Sequence, residues 1–136
     1  MNPIYETDRY LVIKREYAEK HFVEFIPIFQ TLGHWENYFW TPEFTEFAEF
    51  PGGNSLDMSN PKTYQLLEEL LKEICSAFKS KYFHMGCDES WHVGLGKGKE
   101  YVEKIGLGKA YAKHYNWIIS KLKEFGKEKI YLYHDV

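Results

Sequence analysis

Three short apolar runs stand out along the chain, and a turn or a group of polar residues follows each of them. Val23–Phe29, Lys81–Met85 and Ile130–Tyr133 are rich in β-branched and aromatic residues, which is the composition of β-strands. Pro27 removes one backbone donor from the first run, so we expect an edge, an end or a bulge there. The pattern therefore predicts a strand in each run.

The segments between these runs carry helical periodicity. The strongest signal begins at Asn60-Pro61, a capping residue followed by proline at the first helical position, and its leucines recur at helical spacing through Lys79. Further helices are predicted at Thr7–Lys20, from Thr41-Pro42 through Ala48, in a short segment ending at Gly106, and at Lys109–Phe125.

Helices and strands alternate along the whole chain. This alternation is typical of the α/β class with a parallel sheet. Linkers, repeats and low-complexity segments are not apparent, so residues 1–136 are predicted to form a single domain. A parallel sheet must be covered on both faces, and strands this few make a poor core by themselves. We therefore expect a fragment of a larger parallel α/β fold.

Composition narrows the class of protein. With 44% hydrophobic and 27% charged residues, the chain is expected to be soluble and globular. The net charge of −3 gives no broad basic field for nucleic acid, and no apolar run suits a membrane partner. Two cysteines are too few for a disulfide framework, which fits a reducing compartment. The first residues show no signal-peptide pattern, so a cytoplasmic location is predicted. The 18% aromatic content fits either core packing or a sugar-binding cleft.

Two adjacent carboxylates, Asp88 and Glu89, follow the second apolar run. Consecutive strand side chains point to opposite faces, so the pair shares a pocket only if the backbone turns, and Gly86 permits such a turn. An ionised carboxylate disfavours ionisation of its neighbour, which suits a general acid beside an anion, as in glycoside hydrolysis. From the pair alone, a surface turn that caps a helix is the simpler interpretation.

Two other candidate sites are less convincing. His84, Cys87 and His92 have a spacing that suggests zinc, but a fourth ligand is missing from the pattern, so no metal is predicted. Gly94–Lys99 is glycine-rich but lacks the phosphate-loop pattern, which favours a solvated, flexible loop.

The residues around the carboxylates resemble a known signature. His84-x-Gly86-x-Asp88-Glu89 resembles the motif at the end of the fourth barrel strand in family 20 glycoside hydrolases, the β-N-acetylhexosaminidases. The segment from Ile26-Pro27 to Gly33-His34 is similar to that family's third strand and its Gly-His loop, and Tyr131–Asp135 lies where its fifth strand would be. The resemblance implies a partial (β/α)8 (TIM) barrel that comprises strands three to five.

The same resemblance implies a role for each matched residue. Glu89 would be the general acid that protonates the leaving glycosidic oxygen. Asp88 would orient the 2-acetamido group of the substrate, whose carbonyl oxygen is the nucleophile. His34 would hydrogen-bond within the polar network that supports Glu89.

Further substrate contacts are expected at the same end of the sheet. Tyr133 and Asp135 would contact the sugar, because the family's fifth strand brings an aromatic residue and an acid to it at these positions. Trp91 is a candidate for lining the cleft, although it has no matching motif. For Trp91 and for Trp35, packing is the simpler interpretation.

This chain also departs from the family. Cys87 stands where many members have a second glycine, and Tyr133 stands where they have tryptophan. The arginine of the family's first strand and the aromatic residues of strands six to eight have no counterpart. A complete barrel takes about 250 residues.

The sequence thus predicts a β-N-acetylhexosaminidase-type glycoside hydrolase, substrate-assisted and retaining, with an incomplete catalytic domain. The alternative is a non-catalytic truncated or split-gene fragment that self-associates or binds sugar weakly. The expected partners are a glycan that contains N-acetylhexosamine and either a second copy of the chain or a complementing barrel half. No cofactor is predicted.

Overall fold

The computed structural model describes residues 14–134. Helices and short strands alternate along this range, as the sequence predicts. In chain order the elements are helix α1 (residues 14–20), α2 (Glu36–Phe39), α3 (Pro42–Thr45), α4 (Pro61–Ala77), strand β1 (Tyr82–His84), α5 (Lys99–Ile105), α6 (Leu107–Glu124) and β2 (Lys129–Tyr131). The predicted helix Thr7–Lys20 lies partly outside the described residues, and α2 is not among the predicted helices.

The sheet is parallel, with β1 at its centre. β1 and β2 pair in parallel with Phe83 opposite Ile130. On the other side of β1, Ile28 forms a single parallel bridge with His84, and the His84 N–H donates to the Pro27 carbonyl at 2.9 Å. The α/β alternation with parallel pairing is therefore confirmed.

The first predicted strand, Val23–Phe29, is wrong in extent. Only Ile28 pairs as a strand residue, and residues 23–27 have no strand structure. Pro27 has no N–H to contribute, and apolar composition alone does not supply a partner for the outer edge. The second and third strands are confirmed, each shorter than predicted.

The two long helices form because their sequences combine clear ends with one apolar face. The Asn60 side chain accepts a hydrogen bond from the Lys62 N–H at 3.0 Å, which caps α4 ahead of Pro61. Gly106 ends α5 with a φ of +89° and stands directly before α6. Both helices were predicted, and their ends lie within two residues of the predicted ones.

The core lies between these helices and the central strand. Its fully buried members on these elements include Leu67 and Leu71 of α4, Phe83 of β1, and Ile118 and Leu122 of α6. Trp35 is also buried, and its indole N–H donates to the Gln30 carbonyl at 2.9 Å, so the packing interpretation of Trp35 is confirmed. Among the described helices, none is long and apolar enough to cross a membrane.

The outer edges of the sheet are less covered than the helical side. Large apolar side chains on both edges are exposed to solvent, and they are Phe25, Ile26, Ile28, Tyr131, Leu132 and Tyr133. Burial of an apolar side chain of this size stabilises a fold by about 1.5–3 kcal/mol. The exposed edge side chains therefore do not contribute the stabilisation that burial in a complete parallel sheet would give them.

Candidate active site

The backbone turns sharply where β1 ends, in residues 86–91, which we call the carboxylate turn. Gly86, Cys87 and Glu89 have φ values of +70°, +74° and +47°, in the left-handed region. A Cβ on Gly86 would collide with the Gln30 side-chain amide, so this position requires glycine for space as well as for conformation. The predicted turn at Gly86 is confirmed.

Asp88 is held by two side chains from the segment beside β1. The Gln30 side-chain amide donates to Asp88 Oδ1 at 2.7 Å, and His34 Nε2 lies 3.1 Å from Asp88 Oδ2. Partial burial acts to raise the pKa of Asp88, but the hydrogen bonds from Gln30, from its own backbone and from His34 outweigh it. The pKa of Asp88 is therefore lowered, and the side chain is a persistent anion.

His34 brings the two carboxylates together. Its Nε2 lies 3.1 Å from Asp88 Oδ2 and 3.6 Å from Glu89 Oε2. The first distance is a hydrogen bond and the second is beyond one. The imidazole is thus bonded to Asp88 and lies next to Glu89, and its predicted role in the polar network that supports Glu89 stays a prediction. Gly33 makes the approach possible, because a Cβ there would lie 2.5 Å from the Asp88 carbonyl oxygen.

Glu89 is the more accessible carboxylate of the pair. Its side chain is 44% exposed, against 22% for Asp88. Its carbonyl oxygen accepts hydrogen bonds from the Asn54 side-chain amide at 2.8 Å and from the Trp91 N–H at 2.9 Å. The backbone is thus held while the carboxyl group remains open to solvent, as exchange of a proton with a substrate requires.

The other predicted substrate residues lie at the same end of the sheet or outside the described range. The Tyr133 N–H donates to the Gly86 carbonyl at 3.1 Å, and its ring centroid is 4.4 Å from that of His84. Trp91 is 65% exposed, so it is not packed in the core and its role in sugar binding stays a prediction. Asp135 lies outside the described residues.

Sequence reasoning missed Gln30 and Asn54. Besides its bond to Asp88, the Gln30 side chain accepts the Cys87 N–H through Oε1 at 3.1 Å. Asn54 connects to Glu89 across 35 positions of sequence. An amide in a loop carries no periodic signal. The available signal for Gln30 is the density of hydrogen-bonding side chains from Gln30 to Asn37, and the sequence offers none for Asn54.

The residues that suggested zinc have separate partners. His84 Nδ1 accepts the Gly86 N–H, and His92 Nδ1 accepts the Asn54 N–H. Cys87 Sγ lies 3.1 Å from the Thr31 hydroxyl, and burial raises the pKa of its thiol to about 12. Between residues 14 and 134, histidine, cysteine and acidic side chains form no group of three that could hold a metal ion.

The glycine-rich segment is not simply a solvated loop, so that expectation was wrong. The N–H groups of Gly94, Gly96 and Gly98, in residues 94–98 that we call the glycine loop, all donate to the side chain of Glu49. Alternating glycines were the available signal. They expose backbone amides to an anion, but here the anion belongs to the protein itself.

Comparison with known proteins shows the family to which the chain is similar. The model of the glycosyl hydrolase family 20 catalytic domain matches residues 2–129. Beta-hexosaminidase subunit A2 of Dictyostelium discoideum is 37% identical over 78 residues, which are 54% of this chain and 14% of that protein. Lacto-N-biosidase of Bifidobacterium bifidum is 31% identical over 125 residues, which are 82% of this chain and 11% of that protein. The chain thus spans less than a fifth of either curated relative.

Solved structures share the fold. A chitobiase from Flavobacterium johnsoniae superposes with a TM-score of 0.77 at 24% identity, over 92% of this chain and 21% of that one. An exo-β-N-acetylglucosaminidase from Vibrio harveyi, determined with bound N-acetylglucosamine, gives 0.72 at 18% identity, over 90% and 22%. At these identities the likeness concerns the fold alone. The described residues therefore follow the path of one part of larger glycosidases.

Proposed function

Because this chain belongs to glycosyl hydrolase family 20, we propose that it carries the acid and acetamide-orienting part of a β-N-acetylhexosaminidase active site. The substrate is a glycan or glycoside with a terminal N-acetylhexosamine residue. The observation that carries the proposal is the convergence of Asp88 and Glu89 on His34 at one strand end.

Asp88 acts on the acetamido group. A carboxylate that stays ionised accepts a hydrogen bond from the acetamido N–H and turns the carbonyl oxygen towards the anomeric carbon. As that oxygen bonds to carbon, the amide nitrogen gains positive charge, and the nearby anion stabilises it. The lowered pKa of Asp88 suits this task, because a protonated carboxyl group would lose the charge when it is needed.

Glu89 acts on the leaving group. It gives its proton to the glycosidic oxygen as the bond to the anomeric carbon breaks and the electron pair stays on that oxygen. The resulting carboxylate then takes a proton from the water that opens the cyclic intermediate at the same carbon. Two displacements on opposite faces give net retention. His34, Tyr133 and Trp91, with Asp135, are the proposed sugar contacts.

The described residues correspond in this proposal to strands three to five of a (β/α)8 barrel, as a single domain. The exposed side chains of Ile26, Ile28 and Leu132 would be covered by neighbouring strands, because parallel strands are ordinarily buried on both faces. Those strands come from further parts of the same protein, from a complementing half or from a second copy.

The test compares sugars and one matched pair of variants. The full chain is assayed with 4-nitrophenyl N-acetyl-β-glucosaminide and with 4-nitrophenyl β-glucoside, and binding of free N-acetylglucosamine and glucose is followed by NMR. We expect turnover of the acetamido substrate only, and a loss of about 100- to 10,000-fold in Glu89→Gln. Glu128→Gln, at an exposed carboxylate at the opposite end of the sheet, is the control.

Each outcome separates the hypotheses. Equal turnover of the two glycosides would contradict the role of Asp88, and normal turnover by Glu89→Gln would contradict that of Glu89. Selective binding of N-acetylglucosamine without turnover would favour the non-catalytic fragment. Absence of both turnover and selective binding would overturn the proposal for this chain.

A further inference from the structure

A third carboxylate, Glu49, is buried behind the carboxylate turn. Its residue is 1% exposed. Oε1 accepts the Gly94 N–H at 2.8 Å, and Oε2 accepts the N–H groups of Gly96 and Gly98 at 3.1 and 2.9 Å. Both oxygens act as acceptors, as in a carboxylate. Without these donors, burial of the group would be costly, so Glu49 and the glycine loop depend on each other.

The glycine loop is shaped around Glu49. Gly94 has a φ of +74°, which favours glycine. A Cβ on Gly96 would collide with the Glu49 carbonyl oxygen, and one on Gly98 would lie 2.5 Å from Glu49 Oε1. The Lys97 N–H also donates to the Glu49 carbonyl at 2.9 Å. The backbone of the loop is therefore held by the side chain and the carbonyl group of a single residue, Glu49.

A second connection joins the same regions at the other end. Glu49 and Asn54 lie on the two arms of one turn, closed by the antiparallel bridge between Ala48 and Leu56. The Asn54 N–H donates to His92 Nδ1 at 2.9 Å, and its side-chain amide donates to the Glu89 carbonyl at 2.8 Å. The turn thus holds residues 89–98 near both ends.

This arrangement matters because Glu89 has an unfavourable backbone conformation. Its φ of +47° is uncommon for a residue with a side chain, and such residues persist only where their surroundings over-determine them. We propose that Glu49 and Asn54 are positioning residues for Glu89, with Asn54 holding its carbonyl group and Glu49 anchoring the loop that follows. This inference rests on the proposed role of Glu89 as general acid.

The experiment uses the full chain and three variants. Glu49→Ala empties the space between the glycine amides, and formate is a carboxylate small enough to enter it. Asn54→Asp keeps the oxygen that accepts from Ser55 but removes the N–H that reaches Glu89. Glu46→Gln is the matched control, because this nearby carboxylate is exposed and pairs with Lys62.

Turnover and local order are measured separately. With the aryl N-acetylglucosaminide we expect kcat to fall about 100-fold in Glu49→Ala and Asn54→Asp, while KM stays within about threefold of the original value. Formate should restore kcat in Glu49→Ala and not in Asn54→Asp. Amide hydrogen exchange, followed by NMR, should quicken at Glu89 and at Gly94 in Glu49→Ala and slow again with formate.

Normal kcat in both folded variants would overturn the proposal, as would equal effects on kcat and KM with no response to formate. If Glu49→Ala does not fold, Asn54→Asp decides the outcome. If the original chain has no turnover, the proposed function fails, and the exchange data still decide the positioning role. In that case, the positioning role is overturned if neither substitution changes the amide hydrogen exchange at Glu89.

Discussion

The carboxylate turn and the glycine loop are neighbours in the chain, yet they fill left-handed backbone positions differently. In the loop, Gly94 takes a φ of +74°. In the turn, Cys87 takes the same φ and Glu89 takes +47°. A left-handed conformation is unfavourable by about 1–2 kcal/mol for a residue with a side chain, but not for glycine. The turn thus accepts this cost at Cys87 and at Glu89, whose side chain the proposed function uses, and the loop avoids it with glycine.

The two regions also hold their carboxylates differently. Asp88 is bonded by the side chains of Gln30 and His34 and remains partly exposed, whereas Glu49 is bonded by backbone amides and is buried. Side-chain partners can adjust when a substrate enters, and backbone partners fix a loop. This difference fits the roles proposed above, contact with the substrate for Asp88 and positioning of a loop for Glu49.

The largest expected difference is in stability. Glu49→Gln should lower the free energy of unfolding by about 4 kcal/mol, because the amide nitrogen faces a backbone N–H and the remaining bonds lose their charge. Glu89→Gln should change it by less than about 0.5 kcal/mol, since that side chain is 44% exposed and lies beyond hydrogen-bond distance of His34. Urea unfolding of both variants measures the two values. Equal losses of unfolding free energy in the two variants would contradict the proposed difference between Glu49 and Glu89.

A pH-dependent loss of stability is expected from His114, which supports the segment beneath the carboxylate turn. It is fully buried on α6, and its Nε2 lies 3.0 Å from the Thr31 carbonyl, so it donates there as a neutral ring. Burial lowers its pKa from 6.5 to about 4, although the bond to Thr31 acts in the opposite direction.

The sign of this effect follows from proton binding. Between pH 6.5 and 4 the unfolded chain binds a proton that the folded chain does not, so stability falls as the pH falls. At about 1.4 kcal/mol per pKa unit the loss approaches about 3 kcal/mol at pH 4. His114→Gln should make the stability less dependent on pH in this range, with His21→Gln at an exposed histidine as control. An unchanged pH dependence in His114→Gln would show that another group causes it.

The smallest effect concerns the left-handed position of Cys87. Cys87→Ala keeps a side chain there, and Cys87→Gly removes it. We expect the glycine variant to be more stable than the alanine variant by about 1 kcal/mol, whereas glycine is ordinarily the less stable of the two. Chemical unfolding of the two variants gives the order directly. The ordinary order would mean that the turn relaxes in solution.

The elements that were predicted correctly from the sequence are those whose signals lie within a few neighbouring residues. The apolar spacing of α4 and its Asn60-Pro61 start place that helix correctly, and Gly86 beside the adjacent acids predicts the turn. The outer strand was over-predicted because an apolar run does not reveal whether it has a neighbour to pair with.

The supporting residues of the site were harder to predict for a physical reason. Gln30 bonds to Asp88 across 58 positions, and Glu49 bonds to Gly98 across 49. Such contacts depend on how the elements pack, and a glutamate just before a Pro-Gly-Gly turn has the composition of an exposed loop. The alternating glycines were predicted to form a solvated, flexible loop, and nothing in their spacing indicates that their N–H groups bind a carboxylate of the protein itself.

The double hydrogen bonding of Gln30 has a consequence for protein design. Its nitrogen must face Asp88 and its oxygen must face the Cys87 N–H, so the orientation of the amide is unique. Glutamate at this position would set two like charges against each other, and methionine would remove both the bond to Asp88 and the bond to the Cys87 N–H. A designer who transplants the carboxylate turn to another parallel sheet must therefore also move a glutamine in the segment beside the strand that precedes the turn.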